Sequence, residues 1–321
     1  MKKLLLAWPL IFLCLFTNLE ARAQTDAAPS QQTNPTEEKL AETTGERVAA
    51  EAEPRAVTAE RPDDATSYYR LCREHIGEER VADALAACRQ ATKLKPDYEQ
   101  AFFTLGKLYE RADRAGDAVA AFARAVELQP DNPDALMELG SVYTDLGRPA
   151  DAVEPLRRAI ERKPKLAEAY NNLGCAYYYL RRYDEAITAF NHCIALKPDS
   201  SQAHRNLGIT YAEVGRDSEA TAALQEAVRL QPDFAEAYYQ LSFMMAKSGK
   251  MKEAVDACQR AVTFKPDFVQ ARQGLAFLYL ATHQKDAALV QYDILKQQNA
   301  VMAKQLFDAI NSDKVLDASR K

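Results

Sequence analysis

The chain has 321 residues, of which 47% are hydrophobic and 27% charged, and its formal net charge is −5. This acidic balance disfavours nucleic acid as a partner, because proteins that bind nucleic acid normally present a basic face. Length alone predicts about two domains, but the chain contains a regular internal repeat, which favours one continuous array of similar units.

Residues 1–23 have the parts of a secretory signal peptide. A pair of lysines near the start precedes an apolar run over 4–16, and residues 21–23 form an Ala-x-Ala cleavage site. The apolar run is shorter than a membrane-spanning helix, and an uncleaved membrane anchor is the alternative. We therefore expect an exported protein, periplasmic or secreted, with no integral membrane segment after cleavage.

Residues 24–62 are predicted to be a disordered acidic linker. The segment is rich in Ala, Thr, Glu, Gln and Pro and has no aromatic residue. Such a composition buries too little apolar surface to offset the entropy lost on ordering. We therefore expect a tether between the export signal and the folded part of the chain.

Prolines at an unchanging interval of 34 residues define the repeat. They are Pro96, Pro130, Pro164, Pro198, Pro232 and Pro266. When these prolines are numbered as position 32, position 7 is leucine and position 20 is alanine in every repeat. Apolar residues at positions 4, 7, 8 and 11, and again at 20, 24 and 27, have the spacing of one helix face. Each repeat is therefore predicted to be two short helices, with small residues at positions 8 and 20 that let them approach closely.

This pattern resembles the tetratricopeptide repeat family, whose period and alternation of small and large residues it matches. The resemblance covers about 65–302, in repeats 65–98, 99–132, 133–166, 167–200, 201–234, 235–268 and 269–302. It implies an all-α fold, a right-handed superhelical α-solenoid of about seven helix pairs. Residues 300–312 are predicted to form a C-terminal capping helix, and 313–321 a flexible tail.

Two features recur at the helix ends of the repeats, a capping residue before the first helix and a turn residue between the two helices. An acidic residue that is followed three residues later by Gln or Glu predicts a capping box at Asp97, Asp199, Asp233 and Asp267. Glycine between the two helices is typical of a tight turn and occurs at Gly147, Gly215 and Gly249. The same position holds Glu79, Asp113, Arg181 and His283 in the other repeats. Those four turns are expected to have another conformation or some strain.

The sequence has no motif that indicates catalysis, so we expect no enzyme, no cofactor and no metal site. The histidines His75, His192, His204 and His283 fall in four different repeats, which disfavours a shared metal. Cys72 and Cys88 occupy positions 8 and 24 of one repeat and face the same helix seam. They either form a disulfide, as an exported protein permits, or simply fill small core positions.

The remaining arc of each first helix, at positions 2, 5, 6, 9, 12 and 13, is unusually rich in aromatic residues. In the family this arc lines a concave groove, and repeated exposed aromatics indicate a binding surface; the alternative is that neighbouring first helices cover them. The predicted peptide-binding residues are Tyr69, Arg73, Phe103, Lys107, Met137, Asn171, Asn172, Tyr178, Tyr179, Arg205, Asn206, Tyr239, Phe243 and Phe277.

Asn172 and Asn206 occupy position 6 of adjacent repeats. They are similar to the asparagine ladder in the superhelical repeats of the O-linked N-acetylglucosamine transferases. No transferase domain is recognisable in the chain, so the resemblance implies contact with a peptide backbone and not the enzyme.

The sequence thus predicts a non-catalytic scaffold in the cell envelope that holds an extended segment of a protein or peptide in the groove. The alternative is a structural spacer or assembly component that works through its convex surfaces. Neither the identity of the partner nor the oligomeric state follows from the sequence.

The export signal gives a first testable prediction. Cleavage after Ala23 should leave a mature chain whose first residue is Gln24, as mass spectrometry of the N-terminus would show. Recovery of a full-length, membrane-bound chain would contradict it.

Overall fold

The computed structural model describes residues 64–318, with side chains described as far as residue 311. The predicted signal peptide 1–23, the predicted linker 24–62 and the last three residues lie outside the described part. Within that part the chain has fifteen α-helices and no strand. None of these helices is long and apolar enough to cross a membrane.

The chain divides into two compact units between Pro164 and Lys165. The first unit has three helix pairs: α1 Ala65–Gly77, α2 Val81–Leu94, α3 Glu99–Arg111, α4 Ala115–Leu128, α5 Pro133–Asp145 and α6 Pro149–Arg162. The second has four pairs and a last helix: α7 Ala167–Tyr179, α8 Tyr183–Leu196, α9 Ser201–Glu213, α10 Asp217–Leu230, α11 Ala235–Lys247, α12 Met251–Phe264, α13 Val269–Ala281, α14 Lys285–Gln298 and α15 Ala300–Ala318. Within each unit the two helices of a pair pack together, and successive pairs pack on one another. The predicted all-α solenoid is therefore confirmed.

The two helices of a pair are in very close contact where position 8 meets position 24. A Cβ atom added to Gly174 would lie 2.5 Å from the ring of Phe190, a distance that real Cβ atoms essentially never show. Three other repeats repeat this contact: Gly106 with Phe122 at 2.6 Å, Gly140 with Leu156 at 2.5 Å and Gly208 with Leu224 at 2.8 Å. All four large partners are buried. The missing side chain at position 8 therefore makes room for the large side chain at position 24.

In the first repeat the same two positions hold the cysteines. Cys72 and Cys88 are fully buried and joined by a disulfide, with their Cα atoms 5.3 Å apart. The disulfide alternative is therefore the one that the structure shows, and a covalent bond replaces the contact between glycine and a large side chain. The described part has three free cysteines, Cys175, Cys193 and Cys258.

The turn between the two helices has the same conformation in all seven repeats, with a left-handed residue at position 15. The glycines have φ of 71–79°, and Glu79, Asp113, Arg181 and His283 have φ of 57–62°. The expectation of a different conformation in those four turns is wrong. The backbone N–H of position 16 donates to the carbonyl of position 11, for example from Arg216 to Tyr211 at 2.8 Å, and this Schellman bond requires the left-handed residue whatever its side chain. Strain does arise there, since a non-glycine residue in this conformation costs about 1–2 kcal/mol.

An arginine at position 16 stacks on the tyrosine at position 11 of its own repeat. The guanidinium carbon lies 4.4–4.8 Å from the ring centroid in the pairs Arg114–Tyr109, Arg148–Tyr143, Arg182–Tyr177 and Arg216–Tyr211. Each arginine also pairs with the acidic residue three positions later. Exposed ion pairs contribute little by themselves. We therefore attribute most of the stabilisation that these arginines give to the turn to their stacking on the tyrosine rings.

The predicted capping boxes are wrong, because the N-cap position falls one residue after each of these aspartates. After the proline, Asp97 lies in a turn that the backbone N–H of Tyr98 closes on the carbonyl of Lys95 at 3.1 Å. The N-cap position then falls to Tyr98, Phe234 or Phe268, none of which makes a side-chain cap. Among the first helices of the repeats, side-chain caps are made by Asp64, Asn132 and Ser200.

The last helix begins at the predicted residue but continues beyond 312, to Ala318. Residues 313–318 are therefore helical where a flexible tail is predicted, because no proline or glycine follows Ser312 to stop the helix. Ala303, Leu306 and Ile310 are buried against the last helix pair, so the helix covers the end of the array.

The contact between positions 8 and 24 predicts the effect of a single methyl group. Gly174→Ala should destabilise the protein by about 1–3 kcal/mol, because the Phe190 ring has to move. Gly116→Ala is the matched control: no atom lies within 4 Å of its added Cβ, and alanine should stabilise that helix by up to about 1 kcal/mol. Urea unfolding midpoints measure both. Equal changes in the unfolding midpoint of the two variants would show that the close approach of the helices is not the reason for glycine at position 8.

Candidate functional site

The name first-helix face is used for positions 5, 6, 9, 12 and 13 of the odd-numbered helices α1 to α13. In the first unit its aromatic residues are half-buried in contacts between neighbouring helices. The Tyr69 ring lies 5.0 Å from that of Tyr98, and its hydroxyl is 3.1 Å from the hydroxyl of Thr104. Phe103 packs edge-on against Phe122 at 5.7 Å. Both rings are therefore packed against other side chains and project little from the surface. Met137, at position 5 of α5, is half-buried as well.

The basic residues of this unit differ in their surroundings. Arg73 is exposed. The Lys107 ammonium lies 3.0 Å from a carboxylate oxygen of Glu110 and 2.9 Å from one of Glu138, which links α3 to α5. Burial lowers the pKa of Lys107, but the hydrogen bonds to the two carboxylates outweigh it and leave the pKa raised. Lys107 is thus neutralised within the protein and contributes little positive potential.

Asn172 and Asn206, which are predicted to contact a peptide backbone in the same way, differ in the structure. The Asn206 side-chain amide donates to Asn171 Oδ1 at 3.1 Å and to Cys175 Sγ at 3.4 Å. Its oxygen accepts from Gln202 at 3.3 Å and from Arg205 at 3.2 Å. Asn206 therefore ties α9 to α7.

Asn172 is half-buried, and its side chain makes no hydrogen bond within the part of the chain that the structure describes. Its amide N–H and oxygen are therefore available to another molecule.

Tyr178 and Tyr179, adjacent at the end of α7, lie in different environments. Tyr178 packs against Tyr179 and Tyr183, each with ring centroids 5.7 Å away, and its hydroxyl donates to Glu213 at 3.4 Å. Burial raises the pKa of Tyr178 far above its usual value, so it stays protonated. Tyr179 is 62% exposed, whereas every other aromatic residue predicted for the site is half-buried. It is the aromatic residue of this face best placed to meet a ligand.

Towards the C-terminus the first-helix face is mostly packed. Tyr239 lies edge-on to Phe268 at 5.2 Å, and Phe243 packs on the core of its own and the next repeat. Phe277 packs on the cluster around Leu306. All three are half-buried, as expected if neighbouring helices cover them sideways.

Arg205, at position 5 of α9, has few partners. Nη1 donates to Asn206, and the guanidinium lies 5.8 Å from the Phe234 ring. Nε is buried without a hydrogen bond, and burial lowers the pKa of this arginine.

Sequence reasoning missed the polar links between neighbouring first helices. A side chain at position 5 or 9 bonds to position 6 of the next repeat in the pairs Tyr69–Thr104, Lys107–Glu138 and Asn171–Asn206. Complementary donors and acceptors at these positions are the signal that reveals them.

In the described residues, no cluster of three or more His, Cys, Asp or Glu side chains has the arrangement of a metal site.

The difference between the two asparagines predicts different effects on stability. Asn206→Ala removes hydrogen bonds between repeats and should cost about 1–2 kcal/mol, since each such bond contributes about 1 kcal/mol net. Asn172→Ala removes none within the described chain and should change stability by less than about 0.5 kcal/mol. Urea unfolding of the two variants tests this, and a larger loss for Asn172→Ala would contradict the assignment.

Comparison with known proteins places this architecture among its relatives. Residues 79–306, more than half of the chain, match the family model described as the C-terminal domain of cilia and flagella-associated protein 70. No curated protein sequence matches the chain.

Several solved structures are similar. A tetratricopeptide repeat protein from Parabacteroides merdae is 17% identical with a TM-score of 0.63, over 77% of this chain and 98% of its own. The pilF protein of Pseudomonas aeruginosa is 20% identical with a TM-score of 0.58, over 66% of this chain and 96% of its own. TTC0263, a tetratricopeptide repeat protein of Thermus thermophilus, is 25% identical with a TM-score of 0.50, over 57% of this chain and 99% of its own. The chain therefore belongs to the tetratricopeptide repeat family, a family of scaffolds for protein interaction, through the cilia and flagella-associated protein 70 C-terminal domain.

Proposed function

We propose that the protein is a non-catalytic interaction module, which binds an extended segment of a partner on the first-helix face of α7, α9 and α11. The observation that carries this proposal is the pairing of an unbonded amide, Asn172, with an exposed ring, Tyr179, on one helix. Elsewhere on this face, polar and aromatic side chains are largely taken up by contacts with the next repeat.

The spacing of Asn172 and Tyr179 suits an extended peptide. They are seven residues apart on α7, which places them on the same side of the helix, two turns or about 10 Å apart. An extended chain advances about 3.3 Å per residue, so the two side chains span about three residues of a peptide. The amide both donates and accepts, which matches a peptide backbone, and the tyrosine ring offers an anchor for an apolar side chain.

We also propose that the module works outside the cytoplasm. The signal-peptide pattern of residues 1–23 supports this location. The disulfide between Cys72 and Cys88 supports it independently, because disulfides persist mainly in oxidising compartments.

A spacer that works through its outer surface is the second candidate. Large apolar residues at position 30, near the ends of the second helices, favour it. In the second unit, Phe264 is 46% exposed and Leu196 40%. A partner that binds this row would contact the second helices and leave the first-helix face unused.

Binding measurements on surface variants distinguish the two candidates. A random nonapeptide library with blocked ends would be selected on the purified mature chain, and the selected peptides measured by fluorescence anisotropy. Tyr179→Ala and Asn172→Ala should each weaken binding by about 1–3 kcal/mol, or roughly 5- to 150-fold. Gln225→Ala, an exposed polar change on α10, should have no effect. Weakening by Leu196→Ala but not by Tyr179→Ala would instead support the spacer.

A further inference from the structure

Within the described part of the chain, Arg205 has no ion-pair partner. No carboxylate of the described residues lies within ion-pair distance of it, and its one hydrogen bond runs from Nη1 to Asn206. A guanidinium has five N–H donors, so most of its capacity is unused. The nearby carboxylate of Glu236 is taken by Lys265, whose ammonium lies 2.7 Å away.

Another shielded arginine of the same unit shows what a structural role requires. Arg272 donates from Nε to Gln298 at 3.2 Å, from Nη1 to Gln291 at 3.0 Å and from Nη2 to the Pro266 carbonyl at 2.6 Å. All three of its nitrogens are satisfied by neutral acceptors. Arg205 has no such set: among the described residues Nη1 has one acceptor, Asn206, and Nη2 has none. Leaving a shielded charge with so few partners is costly, which points to a partner from outside the chain.

The surroundings of Arg205 place it within the proposed binding surface. It donates to Asn206, whose amide donates in turn to Asn171 and Cys175 of α7, so it lies where α9 meets the helix that carries Tyr179. We infer that Arg205 binds the carboxylate of an Asp or Glu side chain in the extended segment, and that the module therefore selects acidic sequences. This inference rests on the proposed function of the first-helix face.

A carboxylate fits the available donors better than a phosphate does. Because Nε is buried, a carboxylate from another molecule would meet Nη1–H and Nη2–H, which form a planar fork that a carboxylate accepts in a bidentate fashion. A phosphate carries nearly two charges and usually requires several cations. The carboxylates of Glu213 and Glu236 lie near this part of the face, and they would repel a dianion more strongly than a single charge.

Three nonapeptide libraries test the inference on the mature, full-length chain. The first has blocked ends and a central glutamate, the second has blocked ends and a central glutamine, and the third has a central glutamine with a free C-terminal carboxylate. Retention of each library would be measured on the wild type and on Arg205→Met. Arg229→Met is the matched control, since Arg229 is exposed and already paired with Glu226. Tyr179→Ala tests whether the libraries bind to the first-helix face at all.

We expect the wild type to retain the glutamate library at least about tenfold better than the glutamine library. Arg205→Met should abolish that preference while its retention of the glutamine library and its melting temperature do not fall. Arg229→Met should keep the preference.

Equal retention of the first two libraries, both lowered by Tyr179→Ala, would overturn the inference and leave the proposed function intact. Preference for the third library over the first would overturn the side-chain assignment in favour of a terminal carboxylate. Retention insensitive to Tyr179→Ala would overturn the proposed function, and the inference with it.

Discussion

The close approach of the two helices in a pair is the constraint on which the rest of the structure depends. Glycine at position 8 lets the large side chain at position 24 fill the space between the helices, as Gly174 does for Phe190. Because the large residue is buried against a backbone with no side chain, the separation of the helices is fixed, and the next pair meets a surface of defined shape. The first repeat keeps the same constraint by a different bond, the disulfide between Cys72 and Cys88. There a covalent bond, and not a large side chain packed against glycine, sets the separation of α1 and α2.

Regular pairing also determines which side chains remain for binding. With each pair held in register, position 5 or 9 of one first helix meets position 6 of the next, and their side chains bond when they are complementary, as in Asn171 with Asn206 and Lys107 with Glu138. These links use up much of the polar surface where a groove is expected. What distinguishes Asn172 is therefore the absence of such a link within the described chain, and not its residue type. Arg205 follows the same logic: it has one neutral partner where Arg272 has three.

Sequence reasoning was most successful where the information is local. The proline interval and the alternation of small and large residues predict the helix pairs, because both reflect packing within a single repeat. The turn at Arg181 could not be predicted, since its left-handed conformation comes from backbone hydrogen bonds that any residue can make. The N-caps were predicted one residue too early, because the turn after each proline includes the aspartate that was expected to cap the helix. The candidate site was predicted least completely. Exposed and covered aromatic residues such as Tyr179 and Tyr239 occupy the same helix face, and only the neighbouring helix decides which of them is covered.

The central claim is that partners bind the first-helix face of α7 and its neighbours, and site-specific photo-crosslinking tests it most directly. A benzophenone amino acid would replace Tyr179 in one exported variant and Gln225, on the outer side of α10, in another. The cells would be irradiated intact and the crosslinked peptides identified by mass spectrometry. The account predicts crosslinks from position 179 to one extended, acid-containing segment of a partner, and none to that segment from position 225. Crosslinks to the same partner from position 225, with none from position 179, would contradict it.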